Sequence, residues 1–341
     1  LTDEPIIKPF STTGIGSLPH TDPDEAVRLV LESMDIPFWP QLPNLGFREL
    51  MIPQYSESMP GIVVDEERGV VLVQRNEEEI HRFYESVTED SRIAISEDFA
   101  QGFHSFIRKV EGSEFDILKG HITGPLTYTL GLKDPDGKPI YFDEELREIA
   151  LMLLNAKARW QIAELGRFAE EVIIFIDEPI LSALGSTSYV GVSNEEALRL
   201  LQETSDAIKD AGGISGIHCC GRADWPLVMD SGVDIMNFDA YGFVDTLGIY
   251  PDDVEAFLES GGVLAWGIIP TLDSEALEQA TEESILTLFN GAMDRLSEKI
   301  SGDLLRENII ITPSCGTGSR TEEETRKIFA LLESLKEAQT R

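Results

Sequence analysis

From residue 172 onward the chain alternates between two hydrophobic patterns. Short apolar runs, Val172-Ile-Ile-Phe-Ile176 and then 214–219, 233–238, 262–268 and 308–312, are separated by stretches with apolar residues at helical spacing: 194–211, 223–230, 251–259, 273–300 and 321–338. An apolar run without polar alternation predicts a strand covered on both faces, as in a parallel sheet flanked by helices. The first half is less regular. Pro9 to Ser17 predicts a strand ending in a turn, and Asp22-Pro-Asp-Glu25 opens a helix running to about Met34 with an N-cap and an acidic first turn. A weakly marked second strand falls near 37–42, inside the proline-rich stretch Phe38-Trp-Pro-Gln-Leu-Pro43. Two strand-like runs around Glu66-Glu-Arg68 predict an inserted β-hairpin near 61–74. Helices at 77–90 and 97–109, a strand from Phe115 and a long helix at 143–170 (Ile149, Leu153, Ala156, Trp160) complete the series.

The count comes to about eight strand–helix units, which predicts an α/β fold of the TIM (β/α)8 barrel type, with the hairpin inserted, as a single domain over 1–341. A doubly wound sheet is the weaker alternative, because no Gly-x-Gly-x-x-Gly turn opens a strand–helix unit. In a barrel, the C-terminal strand ends form one face, where active sites sit. Ser17, Thr123, Asp177, His218, Cys220, Asp239 and Cys315 all fall at such ends.

Composition narrows the partners. The 341 residues carry 27 basic and 62 acidic side chains, a net charge of −35, which argues against nucleic acid and anionic membrane surfaces. A solvated acidic exterior is the simpler reading of that charge, and a docking face for a basic partner the sharper one. No apolar run approaches the roughly 20 residues of a spanning helix. The first residues lack a basic-then-apolar signal pattern, and three cysteines, two of them adjacent, make a poor disulfide framework. A cytoplasmic location is therefore expected.

The chemistry concentrates in Gly216-Ile-His-Cys-Cys-Gly221 and Thr312-Pro-Ser-Cys-Gly316. His218 and Cys220 are two apart, so on a strand they point the same way, while Cys219 points into packing. Imidazole and thiolate together select zinc. Taken singly, a buried cysteine is an ordinary small hydrophobe. Placement of His-x-Cys and Cys-Gly at two strand ends favours a metal site made of His218, Cys220 and Cys315, with Asp239 of Asn237-Phe-Asp239 as fourth ligand. Asp177-Glu178-Pro179 is a second constellation: paired carboxylates that hold an ammonium group or act as acid and base, or else a helix-capping acidic turn. His20 and His121 are read as hydrogen-bonded structural histidines, without a proton-transfer role.

These motifs occur in a familiar order. Thr12-Thr-Gly-Ile-Gly-Ser-Leu-Pro19, Thr123-Gly-Pro-Leu-Thr127, Ile176-Asp-Glu-Pro179, His218-x-Cys220, Asn237-Phe-Asp239 and Pro313-Ser-Cys-Gly316 resemble the C-terminal catalytic half of cobalamin-independent methionine synthase over nearly the whole chain. That half is a TIM barrel related to uroporphyrinogen decarboxylase and to zinc-dependent methylcorrinoid:thiol methyltransferases. The resemblance implies zinc on His218, Cys220 and Cys315 with a carboxylate near Asp239. It further implies homocysteine as the incoming thiol, its carboxylate near Ile15, Gly16 and Ser17 and its amino group at Asp177.

The departures bear on the methyl donor. The family's folate-stacking tryptophan aligns with Gly131, its seventh-strand histidine is missing from Leu264-Ala-Trp-Gly-Ile-Ile-Pro270, and a carboxylate after Asp-Glu-Pro is replaced near Ala183. Its Gly-Glu-x-x-Arg-x-Asp-Met segment has only Leu45-Gly-Phe-Arg-Glu-Leu-Met51 as counterpart. The expectation is a zinc methyltransferase making methionine from homocysteine. Its donor would be methylcobalamin or another methylcorrinoid, free or on a corrinoid carrier protein. A different thiol of the coenzyme M kind, a folate-dependent methionine synthase, and a non-catalytic zinc- or corrinoid-binding accessory protein remain as alternatives.

Overall fold

The computed structural model describes residues 6–186 and 189–341. Among the described residues there are nine strands: β1 (Ser11–Thr12), β2 (Ile62–Asp65), β3 (Val70–Val73), β4 (Phe115–Thr123), β5 (Ala169–Asp177), β6 (Ile214–Cys219), β7 (Ile235–Phe238), β8 (Val263–Ile269) and β9 (Ile309–Pro313). Seven form one sheet in the order β1-β9-β8-β7-β6-β5-β4, every pair parallel. The sequence order, broken only where β9 meets β1, is that of strands laid side by side around a barrel.

The remaining stave is the segment 36–41. The Ile36 and Gln41 amides donate to the Thr12 and Gly16 carbonyls (both 3.0 Å), tying the segment to the β1 side. On its other side the Trp39 amide donates to Lys119 O (3.2 Å) and the Lys119 amide to Pro37 O (2.8 Å). Pro37 and Pro40 lack amide hydrogens, so this stave makes isolated bridges rather than a ladder. That is also why its strand signal is weak.

Side chains sort into two layers. Ile36, Ile117, Ile173, Phe175, Ile235, Ala265 and Ile310 pack together as one cluster. The alternate strand residues, among them Leu118, Ile174, Ile217, Phe238 and Ile311, join the larger core that includes the helices. The unbroken apolar runs are thus strands buried on both faces, as their pattern predicts.

The differences from the expected elements have local causes. The first strand pairs only over Ser11–Thr12, and from Thr13 the backbone opens into a loop. The helix expected at 143–170 runs Glu144–Leu165 and stops at Gly166. The one expected at 273–300 is split into Ser274–Gln279 and Glu282–Ser297, because Thr281 starts a new helix through a capping box with Ser284. The hairpin β2–β3 forms as expected. The Val73 amide donates to Lys133 O (2.9 Å), which docks the hairpin beside the chain that follows β4. Among the described residues no helix is long and apolar enough to cross a membrane.

Candidate metal and substrate site

β6 ends in His218-Cys219 and β9 leads into Cys315, so both deliver their side chains to the C-terminal end of the sheet. One ligand atom from each of His218, Cys220 and Cys315 lies within 4.8 Å of the other two. Cys219 faces away and is buried in the outer core, as its place on the strand predicts. The imidazole is oriented from behind. Its Nδ1 is hydrogen-bonded to Asn237 Oδ1. The Asn237 amide nitrogen donates to Ala265 O (2.9 Å) and Thr312 Oγ1 (2.8 Å), which fixes the oxygen toward the ring. Nδ1 therefore carries the proton, and Nε2 is left with its lone pair, buried and without a hydrogen-bond partner. An orphaned imidazole nitrogen beside two sulfurs is the donor chemistry of a zinc site, and the residues fit that ion.

The protonation of the trio has the same origin. The Cys315 thiol, with the adjacent His218 imidazole, holds Cys220 down to about 4, while Cys315 is pushed up by sharing its proton with Cys220. Asp239, expected as a fourth ligand, is not in this cluster. Its Oδ1 accepts from the Gly242 amide (2.8 Å), capping the short helix Ala240–Phe243. The short aspartate arm is committed to that turn, so the described ligand set has three members.

Asp177 ends β5 and pairs in register with His218. Its Oδ1 is buried without a donor, and burial pushes the carboxyl up to about 6 against the pull of His218 and Lys119. The adjacent Glu178 does not share the site. It is fully buried and accepts from the Leu126 amide (2.7 Å), the Thr127 amide (2.9 Å) and the Thr127 hydroxyl (2.5 Å). The paired carboxylates thus divide: Glu178 caps the helix Pro125–Gly131, and Asp177 keeps an unpartnered oxygen. Glu49 of the 45–51 segment is also buried but accepts from the Gln101 amide (2.7 Å) and Gln54 Nε2 (3.1 Å).

The loop Thr13–Ser17 crosses the same end of the barrel. Gly16 lies against His121: a Cβ there would come within 2.9 Å of His121 Nδ1. Ser17 is interlocked with the Cys315 loop. Its carbonyl accepts from the Thr317 amide (2.9 Å), its hydroxyl from the Gly318 amide (3.3 Å), and a Cβ on Gly316 would meet its Oγ at 2.1 Å. His121 stacks on Trp39 with centroids 3.9 Å apart. Contrary to expectation, neither ring nitrogen of His121 or His20 has a hydrogen-bond partner among the described residues. Burial holds His121 well below the usual histidine range, hence neutral.

Sequence reasoning overlooks Asn237 as an orienting group and Lys119 altogether. Lys119 sits fully buried in mid-strand, its Nζ donating to Ile15 O (2.5 Å). A lysine inside an otherwise apolar strand is the signal that marks it.

No family model matches the chain, and no curated protein matches it in sequence. Among solved structures, a B12-independent methionine synthase from Shewanella sp. W3-18-1, in complex with selenomethionine, superposes with a TM-score of 0.58 at 15% identity, over 97% of this chain and 98% of that one. An endo-beta-1,4-mannanase from Cellulomonas fimi matches more distantly, with a TM-score of 0.29 at 12% identity over 69% of this chain and 65% of that one. The first likeness shows the fold: this chain is an α/β barrel built like that methionine synthase from one end to the other.

Proposed function

We propose that the protein is a zinc-dependent methyltransferase that moves a methyl group onto the thiol of homocysteine, forming methionine. The observation that carries this reading is the three-donor cluster of His218, Cys220 and Cys315 next to the unpartnered carboxylate of Asp177. Three protein ligands are the pattern of a catalytic zinc that keeps a position open, whereas structural sites close with four. When bound there, zinc supplies a Lewis acid that holds the substrate sulfur as thiolate at neutral pH, where a free thiol of pKa about 8.5 is mostly protonated.

The protein residues do the rest. Asp177 holds the substrate ammonium through its free Oδ1. The loop Ile15-Gly16-Ser17 receives the carboxylate. Asn237 keeps the His218 tautomer fixed. Methionine synthase is what the structural neighbour is titled, which supports the choice of homocysteine.

For the methyl donor the reading is a methylated corrinoid, methylcobalamin or a corrinoid carrier protein. A folate amine departs only when protonated; the end of β8, Ile268-Ile-Pro-Thr271, holds no histidine for that, and His121 is held neutral by burial. A corrinoid leaves as its reduced cobalt form and needs no proton.

The test is methyl transfer by zinc-loaded protein with homocysteine, offering methylcobalamin and methyltetrahydrofolate separately. Methionine from methylcobalamin alone is expected. Methionine from the folate alone overturns the donor. Methionine from neither, with zinc bound one to one, discards homocysteine and leaves the coenzyme M kind of thiol.

A further inference from the structure

The ammonium of Lys119 is fully buried inside the barrel, where an unused charge is costly. Its Nζ lies 4.2 Å from the centroid of the Phe175 ring and 5.5 Å from that of Phe38. Its one protein acceptor among the described residues is the Ile15 carbonyl, at 2.5 Å. Burial lowers Lys119 to about 7, and Asp177, two positions beyond Phe175 on the same face of β5, is the carboxylate whose field works against that and favours the ammonium.

The hydrogen bond to Ile15 fixes more than one atom. The peptide bonds of the described chain are all trans, so the Ile15 C=O and the Gly16 N–H point in opposite directions. Holding the carbonyl toward Lys119 turns the Gly16 amide away from it. Gly16 is buried, yet among the described residues neither its amide nor that of Ser17 donates to a protein acceptor. Two consecutive free amides with a cation behind them make a seat for an anion, as successive backbone N–H groups do elsewhere. In a chain of net charge −35 that cation also offsets the general repulsion of a negative group.

We propose that Lys119 is a positioning residue for the carboxylate of the substrate: it pins Ile15 so that the Gly16 and Ser17 amides face the ligand, and it supplies the balancing positive charge. This rests on the reading of the substrate as an amino-acid thiol. Together with Asp177 it specifies a zwitterion, which favours homocysteine over thiols that lack one of the two charged groups.

The experiment uses cobalt(II)-substituted protein and follows the thiolate-to-cobalt absorption as thiols are added. Homocysteine is compared with 3-mercaptopropylamine, which is homocysteine without its carboxylate. Wild-type protein is expected to bind homocysteine about tenfold or more tightly than the amine, the worth of a charged hydrogen-bonded contact. Lys119→Met is expected to remove that preference by weakening homocysteine alone. Lys119→Gln, which keeps an N–H donor but no charge, is the second variant and is read by the same criterion if Lys119→Met does not fold. A folded variant that keeps the full preference overturns the role of Lys119 and leaves the amino-acid reading intact. A wild-type protein that shows no preference, or no absorption with either thiol, overturns the amino-acid reading and the inference with it.

Discussion

Glu178 commits its carboxylate to Thr127, accepting from that residue both the amide (2.9 Å) and the hydroxyl (2.5 Å), and takes no part in the His218–Cys220–Cys315 cluster. The Asp-Glu-Pro and Thr-Gly-Pro motifs are therefore one mechanical unit, a buried acid capping the helix that follows the preceding strand, β4. Replacing Glu178 by Gln puts an amide donor against these donors. The expected cost is about 1–3 kcal/mol of stability, read as a lower midpoint in urea, with homocysteine affinity unchanged in the protein that remains folded. Asp177→Asn should show the reverse: a small change in stability and a large loss of homocysteine affinity. If both variants lose affinity equally, the division of labour between the two carboxylates is wrong.

Asn237 meets His218 Nδ1 with its Oδ1 while its own amide nitrogen is anchored on Ala265 and Thr312. Asn237→Ala should weaken zinc binding by about 10–100-fold, measured by competition with a chromophoric chelator. Thr312→Val, which removes an acceptor for the Asn237 amide (2.8 Å), should have a smaller effect in the same direction. Unchanged zinc affinity in Asn237→Ala would mean that the imidazole is held by packing alone.

Burial pushes Asp177 up to about 6. Above that pH the carboxyl is charged and pairs with an ammonium, and below it the neutral acid does not. The dissociation constant for homocysteine should accordingly rise as the pH falls through about 6, about tenfold per unit on the acid side. The profile of Asp177→Asn should lack that limb.

The metal itself should act as a stabiliser. A ligand that binds only the folded chain adds RT ln(1 + [L]/Kd), about 2.7 kcal/mol at a hundredfold excess over Kd. Zinc should therefore raise the melting temperature of wild-type protein, and Cys315→Ser should abolish most of the rise. Because Cys315 holds its proton in the metal-free site, binding should also release protons, visible as a dependence of the calorimetric enthalpy on the buffer.

Much of this was legible in the sequence, for identifiable reasons. The strands β5 to β9 are covered on both faces, so their apolar runs carry the signal alone. The stave at 36–41 is obscured because its prolines replace a ladder by single bridges. His218, Cys220 and Cys315 were readable since soft ligands at strand ends are rare in a chain with three cysteines. Asp239 stands at the right strand end but outside the cluster, its Oδ1 engaged by its own turn, a matter of one hydrogen bond that no spacing reveals. Lys119 escaped because the pattern of a strand says which face a residue takes but not which atom of a distant loop it meets.

The stitching of Ser17 to Thr317 and Gly318 joins residues about three hundred positions apart. On the proposed reading, one of these loops carries the sulfur end of the grip and the other the carboxylate end. Bound to each other, they work as a caliper with a fixed opening. On that reading a thiol amino acid one carbon shorter, such as cysteine, would reach one jaw or the other but not both, and the fold would measure the length of its substrate before any chemistry begins.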